Sequence, residues 1–195
     1  MKLIFATHNR HKADEIRAVL NNNIEIITLE EAGIVKDIPE LYNSLEENAS
    51  AKSATIYKIT GYDCFSEDTG LEVWALNGEP GIKSARYAGD HCNSDENIDK
   101  LLANLAGHTD RSARFRTVLS LFIDGKETLF EGTCTGRITE EKRGTQGFGY
   151  DPVFIPDGDG KTFAEMNLDE KNRYSHRKKA TEKLVAFLNK LSTNH

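Results

Sequence analysis

Ala113-Arg114-Phe115-Arg116-Thr117-Val118-Leu119-Ser120-Leu121-Phe122-Ile123-Asp124-Gly125 decides the fold class. Ala113, Phe115, Thr117, Leu119, Leu121 and Ile123 recur with a period of two, which predicts a strand. Asp124-Gly125 is a hairpin-turn signal, and the return strand is expected over residues 127 to 138. A turn this short joins only antiparallel neighbours, so the sheet cannot be wholly parallel.

Upstream of the hairpin, strands alternate with helices. Residues 2 to 6 are apolar and β-prone, and Ala13, Ile16 and Leu20 then fall at helical spacing. A second strand is expected at residues 24 to 29, followed by a loop through Gly33, Pro39 and Tyr42 that carries Glu40. Ser44-Leu45-Glu46-Glu47 reads as a capping box. It opens a helix with the stripe Leu45, Ala49, Ile56 and Ile59, in which Lys52 fills the missing apolar position. Apolar β-type stretches flank Ser66-Glu67-Asp68-Thr69-Gly70, which places this acidic group where a strand ends or bends. Ser94 is expected to cap a helix that buries Ile98, Leu101, Leu102 and Leu105.

Downstream, a Gly-rich segment from Gly144 to Gly149 leads to a short strand, Val153-Phe154-Ile155. Ser175 can cap a last helix that buries Ala180, Leu184, Phe187, Leu188 and Leu191. The class is therefore α/β with a mixed sheet, and the 195 residues are expected to form a single domain.

Composition narrows the function. Lys+Arg 25 against Asp+Glu 31 leaves a net charge of −6, which argues against binding to long nucleic acid. The apolar run at Met1 to Ala6 meets Arg10 and Lys12 at once, too short for a signal or membrane segment. Cys64, Cys92 and Cys134 are odd in number and far apart, so neither a disulfide framework nor a zinc site is indicated and a cytosolic protein is expected. Gly158-Asp159-Gly160-Lys161-Thr162 fails as a phosphate loop because Ile155 stands where a glycine is needed.

Four groups of residues carry chemistry. Thr7-His8-Asn9-Arg10-His11-Lys12 joins strand to helix, a seat for phosphate or equally an Asn cap with solvated basic residues. Lys52 needs either snorkelling or an anionic partner, and Glu67-Asp68-Thr69 offers carboxylates for a metal or a water. Basic residues from Lys171 through His176, Arg177, Lys178 and Lys179 to Lys183 crowd a helix start, where they oppose the dipole unless an anion is present. Gly147-Phe148-Gly149-Tyr150-Asp151-Pro152 sets aromatic rings among glycines, where a flat base could stack. Together they suggest a metal-bound polyphosphate that carries a ring.

In this order the motifs resemble the inosine triphosphate pyrophosphatase family over essentially the whole chain. The segments are Thr7-x-Asn9-x-x-Lys12, Glu40 before Glu47-Asn48-Ala49-x-x-Lys52, Ser66-Glu67-Asp68-Thr69-Gly70-Leu71, Pro80-Gly81-x-x-Ser84-Ala85-Arg86-Tyr87, Gly147 to Pro152, and Ser175-His176-Arg177. His8 departs from the glycine that many members carry there. The resemblance implies hydrolysis of ITP, dITP and XTP to monophosphate and pyrophosphate with Mg²⁺, in a homodimer. It implies a long mixed sheet flanked by helices, in two lobes with a central cleft. By motif position, Thr7, His8, Asn9, Arg10, His11, Lys12 and Lys52 would hold phosphates, Glu40 and Asp68 the metal, and Asp68 would accept the proton. Thr69 would touch substrate and Phe148 would stack on the base. Gly149, Tyr150, Asp151 and Lys171 would line the base pocket, and His176 with Arg177 would address the 6-oxo edge. A nucleotide-binding regulator and a phosphatase releasing orthophosphate are the competing readings.

Overall fold

Residues Lys2–Phe5 form β1, and Thr7 to Asn9 turn the chain into α1 (Arg10–Arg17), which buries Ala13, Glu15 and Ile16. A computed structural model describes residues 1–20, 23–35 and 38–192, without the side chain of residue 192. Part of the expected loop between Gly33 and Tyr42 lies outside them.

β2 (Glu25–Thr28) pairs parallel with β1. α2 (Leu45–Thr60) is capped by Ser44, but the expected box is only half made: Ser44 Oγ accepts the Glu47 N–H at 3.2 Å, while Glu47 Oε2 accepts the Ser44 hydroxyl at 3.0 Å and not its backbone N–H. It ends at Gly61, whose left-handed φ of 68° lets its N–H reach Tyr57 O. Leu45, Ala49 and Ile56 are buried as the stripe requires, whereas Ile59 is exposed.

β3 (Cys64–Val73) runs without a break through the acidic group, where the sequence predicts an end or a bend. Polar residues persist inside this strand because each is satisfied there. Ser66 Oγ donates to Ala49 O, and Glu67 and Asp68 have cationic partners. β4 (Pro80–Gly81) pairs antiparallel with β3. A Cβ on Gly70 would lie 2.6 Å from Gly81 O, so this approach requires glycine.

α3 (Ser94–Asn104) is capped by Asn93, one residue before the expected Ser94, and Leu102 is only half-buried. β5 (Ser112–Ile123) and β6 (Lys126–Ile138) make the predicted hairpin; both turn residues have positive φ, 49° at Asp124 and 74° at Gly125. The alternation in β5 holds through Thr117, after which Val118 to Leu121 are buried on both faces. β7 (Phe154–Pro156) pairs antiparallel with β6, and Val153 belongs to the turn before it. α4 (Leu168–Lys171) and α5 (His176–Ser192) complete the chain of elements. α5 buries Ala180, Leu184 and Leu188, with Phe187 and Leu191 half-buried.

Among the described residues the sheet order is β2-β1-β3-β5-β6-β7, with β4 beside β3. β1 is parallel to both its neighbours while the hairpins are antiparallel, which is the expected mixed sheet. The chain divides into two compact units. Met1–Asp68, Thr117–Gly132 and Arg177–His195 make the first; Thr69–Arg116 and Thr133–His176 make the second. The first is built around Leu3, Phe5, Ile16, Phe65, Leu119 and Leu184, with Phe5 and Phe65 stacked at 4.4 Å. The second is built around Leu71, Leu101, Phe115, Phe154 and Phe163.

Candidate active site

The loop from β1 into α1 takes its shape from two of its own side chains. Thr7 Oγ1 accepts the Asn9 N–H at 3.1 Å, and Asn9 Oδ1 accepts the Lys12 N–H at 3.2 Å. The Asn cap is therefore present. It also presents the opening N–H groups and positive dipole end of α1, as an anion site needs. His8 and His11 are exposed, and Arg10 pairs with Glu30 at 2.7 Å on the surface. Lys12 reaches the buried Glu67, with its Nζ 3.3 Å from Oε1.

Lys52 does not snorkel. Its Nζ donates to Glu40 Oε1 at 2.8 Å, to the Glu67 carbonyl at 2.7 Å and to Asp68 Oδ1 at 3.1 Å. One ammonium thus gathers the carboxylates of a loop and of a central strand. Burial alone would lower the Lys52 value, but Asp68 and Glu40 outweigh it and hold the amine protonated. Asp68 moves the other way from a free carboxyl. Burial pushes its value up and Glu40 adds to this, and together they outweigh the pull of Lys52 and Lys12.

Glu67 and Arg177 form a second buried group. Arg177 Nε and Nη2 donate to the two Glu67 oxygens at 2.7 and 2.8 Å, Nη1 donates to Glu15, and Lys12 Nζ lies 3.3 Å from Glu67 Oε1. Burial opposes the charge on Arg177, yet Glu67 and Glu15 raise its value above the ordinary guanidinium. The anion expected at the start of α5 is thus partly supplied by the chain itself. The remaining lysines there are surface groups: Lys178 pairs with Glu182 at 3.4 Å, and Lys183 reaches Glu131 O at 2.7 Å. Sequence reasoning assigned no role to Glu15, and it offered Glu67 as a carboxylate for a metal or a water, whereas Glu67 is held by Arg177 and Lys12. The available signal for Glu15 was its place one turn after Lys12 on α1.

In the second unit, Asp151 Oδ2 accepts from Lys171 Nζ at 2.6 Å and from the Phe148 N–H at 2.9 Å, so Asp151 folds its own loop. Gly147, at φ 73°, must lack a side chain, since a Cβ would stand 2.0 Å from Asp151 Oδ2. Lys171 Nζ lies 5.3 Å from the centroids of both Phe148 and Phe163. Phe148 is half-buried, as are Gly149, at φ 61°, and Thr69. The buried His176 ring stacks on Phe115 at 4.6 Å. Tyr150 Oη donates to Ser84 O at 2.7 Å, and burial raises its phenol, which makes it a core anchor for the loop. Ser84 Oγ donates to Gly81 O at 2.6 Å and accepts the Leu71 N–H at 2.8 Å; sequence reasoning missed this role.

Among the described residues no three His, Cys, Asp or Glu side chains gather into a ready-made metal site. The structure brings together Lys52, Glu40 and Asp68, then Lys12 and Arg177 through Glu67, and separately Phe148, Asp151 and Lys171. No helix among the described residues is long and apolar enough to cross a membrane.

The fold is that of an α/β protein with a mixed sheet, with a buried ionic cluster in the first unit and an aromatic loop in the second. The model of the Ham1 family matches residues 3–187, and the chain belongs to that family. It is 49% identical over 190 residues to the dITP/XTP pyrophosphatase of Christiangramia forsetii, covering 97% of this chain and 100% of that protein. Two solved structures are similar: the Ham1 protein of Staphylococcus aureus (38% identity, TM-score 0.87, 97% and 98% of the chains) and a HAM1 protein from Coxiella burnetii (36%, 0.89, 97% and 99%). Their fold is the mixed sheet with flanking helices described above.

Proposed function

We propose that the chain hydrolyses dITP, ITP and XTP to the monophosphate and pyrophosphate, and so clears deaminated purines from the nucleotide pool. The observation that carries this reading is the buried Lys52 ammonium gathering Glu40 and Asp68 in a chain 49% identical to a dITP/XTP pyrophosphatase.

Mg²⁺ fits the donors present. Glu40 and Asp68 offer hard oxygens, and Mg²⁺ is commonly held by one or two carboxylates plus substrate phosphates. Charge points the same way: Glu15, Glu40, Glu67 and Asp68 outnumber Lys12, Lys52 and Arg177, so a polyphosphate meets a net negative cluster. Glu40 and Asp68 would hold the ion, which neutralises charge on the leaving pyrophosphate when bound.

Lys12, Lys52 and the start of α1 bind the phosphates and orient the chain of anhydrides. Asp68 orients a water and takes its proton as the water oxygen bonds to the α-phosphorus. The bond from that phosphorus to the bridging oxygen breaks, and pyrophosphate leaves. Phe148 stacks on the purine, Asp151 and Lys171 hold the stacking loop, and Thr69 contacts substrate. His176 and Arg177 address O6, which adenine replaces with an amino group. The same resemblance supports a cytoplasmic homodimer, which light scattering of the purified chain tests.

The deciding assay incubates the chain with dITP or dATP, with and without Mg²⁺, and resolves products by anion exchange. We expect Mg²⁺-dependent dIMP and pyrophosphate, with dATP on the order of 10³-fold slower. Release of dIDP and orthophosphate would move the attack to the terminal phosphorus. Tight binding without turnover would make the chain a nucleotide-responsive regulator.

A further inference from the structure

The two lysines of the phosphate cluster are held in different ways. Lys52 is pinned by three oxygens at 2.7 to 3.1 Å and is 10% exposed. Lys12 rises from the first turn of α1, is 19% exposed, and has as its carboxylate partner Glu67 at 3.3 Å, beyond the short range of charge-assisted bonds. Glu67 itself is fully buried, and both its oxygens receive shorter bonds from Arg177. Glu67 can therefore release Lys12 without becoming an uncompensated buried charge, because Arg177 still holds both its oxygens.

We propose that Glu67 is a resident counter-ion for Lys12: a positioning residue that competes with substrate phosphate for the ammonium and reclaims it as pyrophosphate departs. The proposal rests on the reading that this cluster binds phosphates. The resting protein keeps Lys12 aligned over the site. Binding exchanges one ion pair for another, which limits how tightly product is held. No covalent step is involved.

The sign of the effect separates this role from a structural one. Removing a carboxylate that merely braces the site should weaken phosphate binding; removing a competitor should strengthen it. Tripolyphosphate, which has no base, is the probe, titrated into the full chain by calorimetry at fixed Mg²⁺. Glu67→Gln, which keeps the shape and one acceptor oxygen, is expected to bind it about tenfold more tightly. Pyrophosphate should become a correspondingly stronger inhibitor of dITP turnover. With Lys12→Ala as background, the gain from Glu67→Gln should shrink to about threefold or less, because the contested ammonium is gone. Unchanged or weaker binding by Glu67→Gln, or a full gain without Lys12, overturns the proposal.

If Glu67→Gln does not fold, side-chain NMR of the wild type decides. Tripolyphosphate should shift the Lys12 Cε–Hε resonance, with a smaller shift at Arg177 Nε–Hε; the reverse order overturns the exchange. The wild-type dITP assay on the same preparation tests the activity separately. Exchange at Lys12 without dITP turnover would leave the counter-ion role standing and remove the pyrophosphatase reading.

Discussion

Asp68 is held in an environment that resists its charge, and this gives it a double signature. A carboxyl whose value is raised on folding favours the folded state while protonated, and loses that contribution as pH climbs through the raised value. In metal-free buffer, Asp68→Asn should therefore gain stability relative to wild type as pH rises above the ordinary carboxylate range. Paired urea melts at several pH values check this, and a constant difference would contradict it. The same variant should lose about 10²- to 10⁴-fold in turnover of dITP, the usual contribution of a general base, and near-normal turnover would remove Asp68 from that role. Arg177 carries the opposite expectation. Arg177→Met leaves Glu15 and Glu67 buried without their guanidinium and should cost about 3–5 kcal/mol in the same melts. Should the variant still fold, an intact dITP over dATP preference would show that this residue does not read the base edge. The sequence exposes Lys52 because a charge interrupts an apolar stripe, but it hides Glu15. A glutamate on a short, mostly polar helix looks like any solvated one until α5 delivers Arg177, 162 residues away in the chain, to it.

At the scale of elements, local signals carried the reading furthest. The turn at Asp124-Gly125 and the N-cap at Ser44 are written in adjacent residues, and both are where the sequence puts them. β3 departs from its sequence reading because an acidic group inside an apolar strand looks like a strand end; its partners lie on α1, α2 and α5, which no local window contains. The stacking loop is a similar case, since Asp151 closes it through Phe148 N–H while being fixed by Lys171 of α4. Gly147→Ala tests that closure. Its Cβ would displace Asp151, and the left-handed backbone adds strain, for a cost of about 1–3 kcal/mol. Affinity for dIMP should fall while that for tripolyphosphate stays near wild type. Equal loss for both ligands would mean that the loop supports more than the base.

The whole molecule carries a net charge of −6, so its cations act locally and not as a field. A duplex DNA mobility shift at physiological salt should show no complex, and one that did would overturn the small-ligand reading. The first unit is assembled from three separated stretches, the last beginning at Arg177. This order of assembly reaches back to how the chain is made. On a ribosome, Glu15 and Glu67 emerge long before the guanidinium that neutralises them, and α5 brings the last part of the core around Leu184. The first unit can close only once the residues from Arg177 onward have been made. Nascent chains stalled before residue 177 should stay open to protease throughout residues 1–68, and the site becomes protected as α5 leaves the exit tunnel.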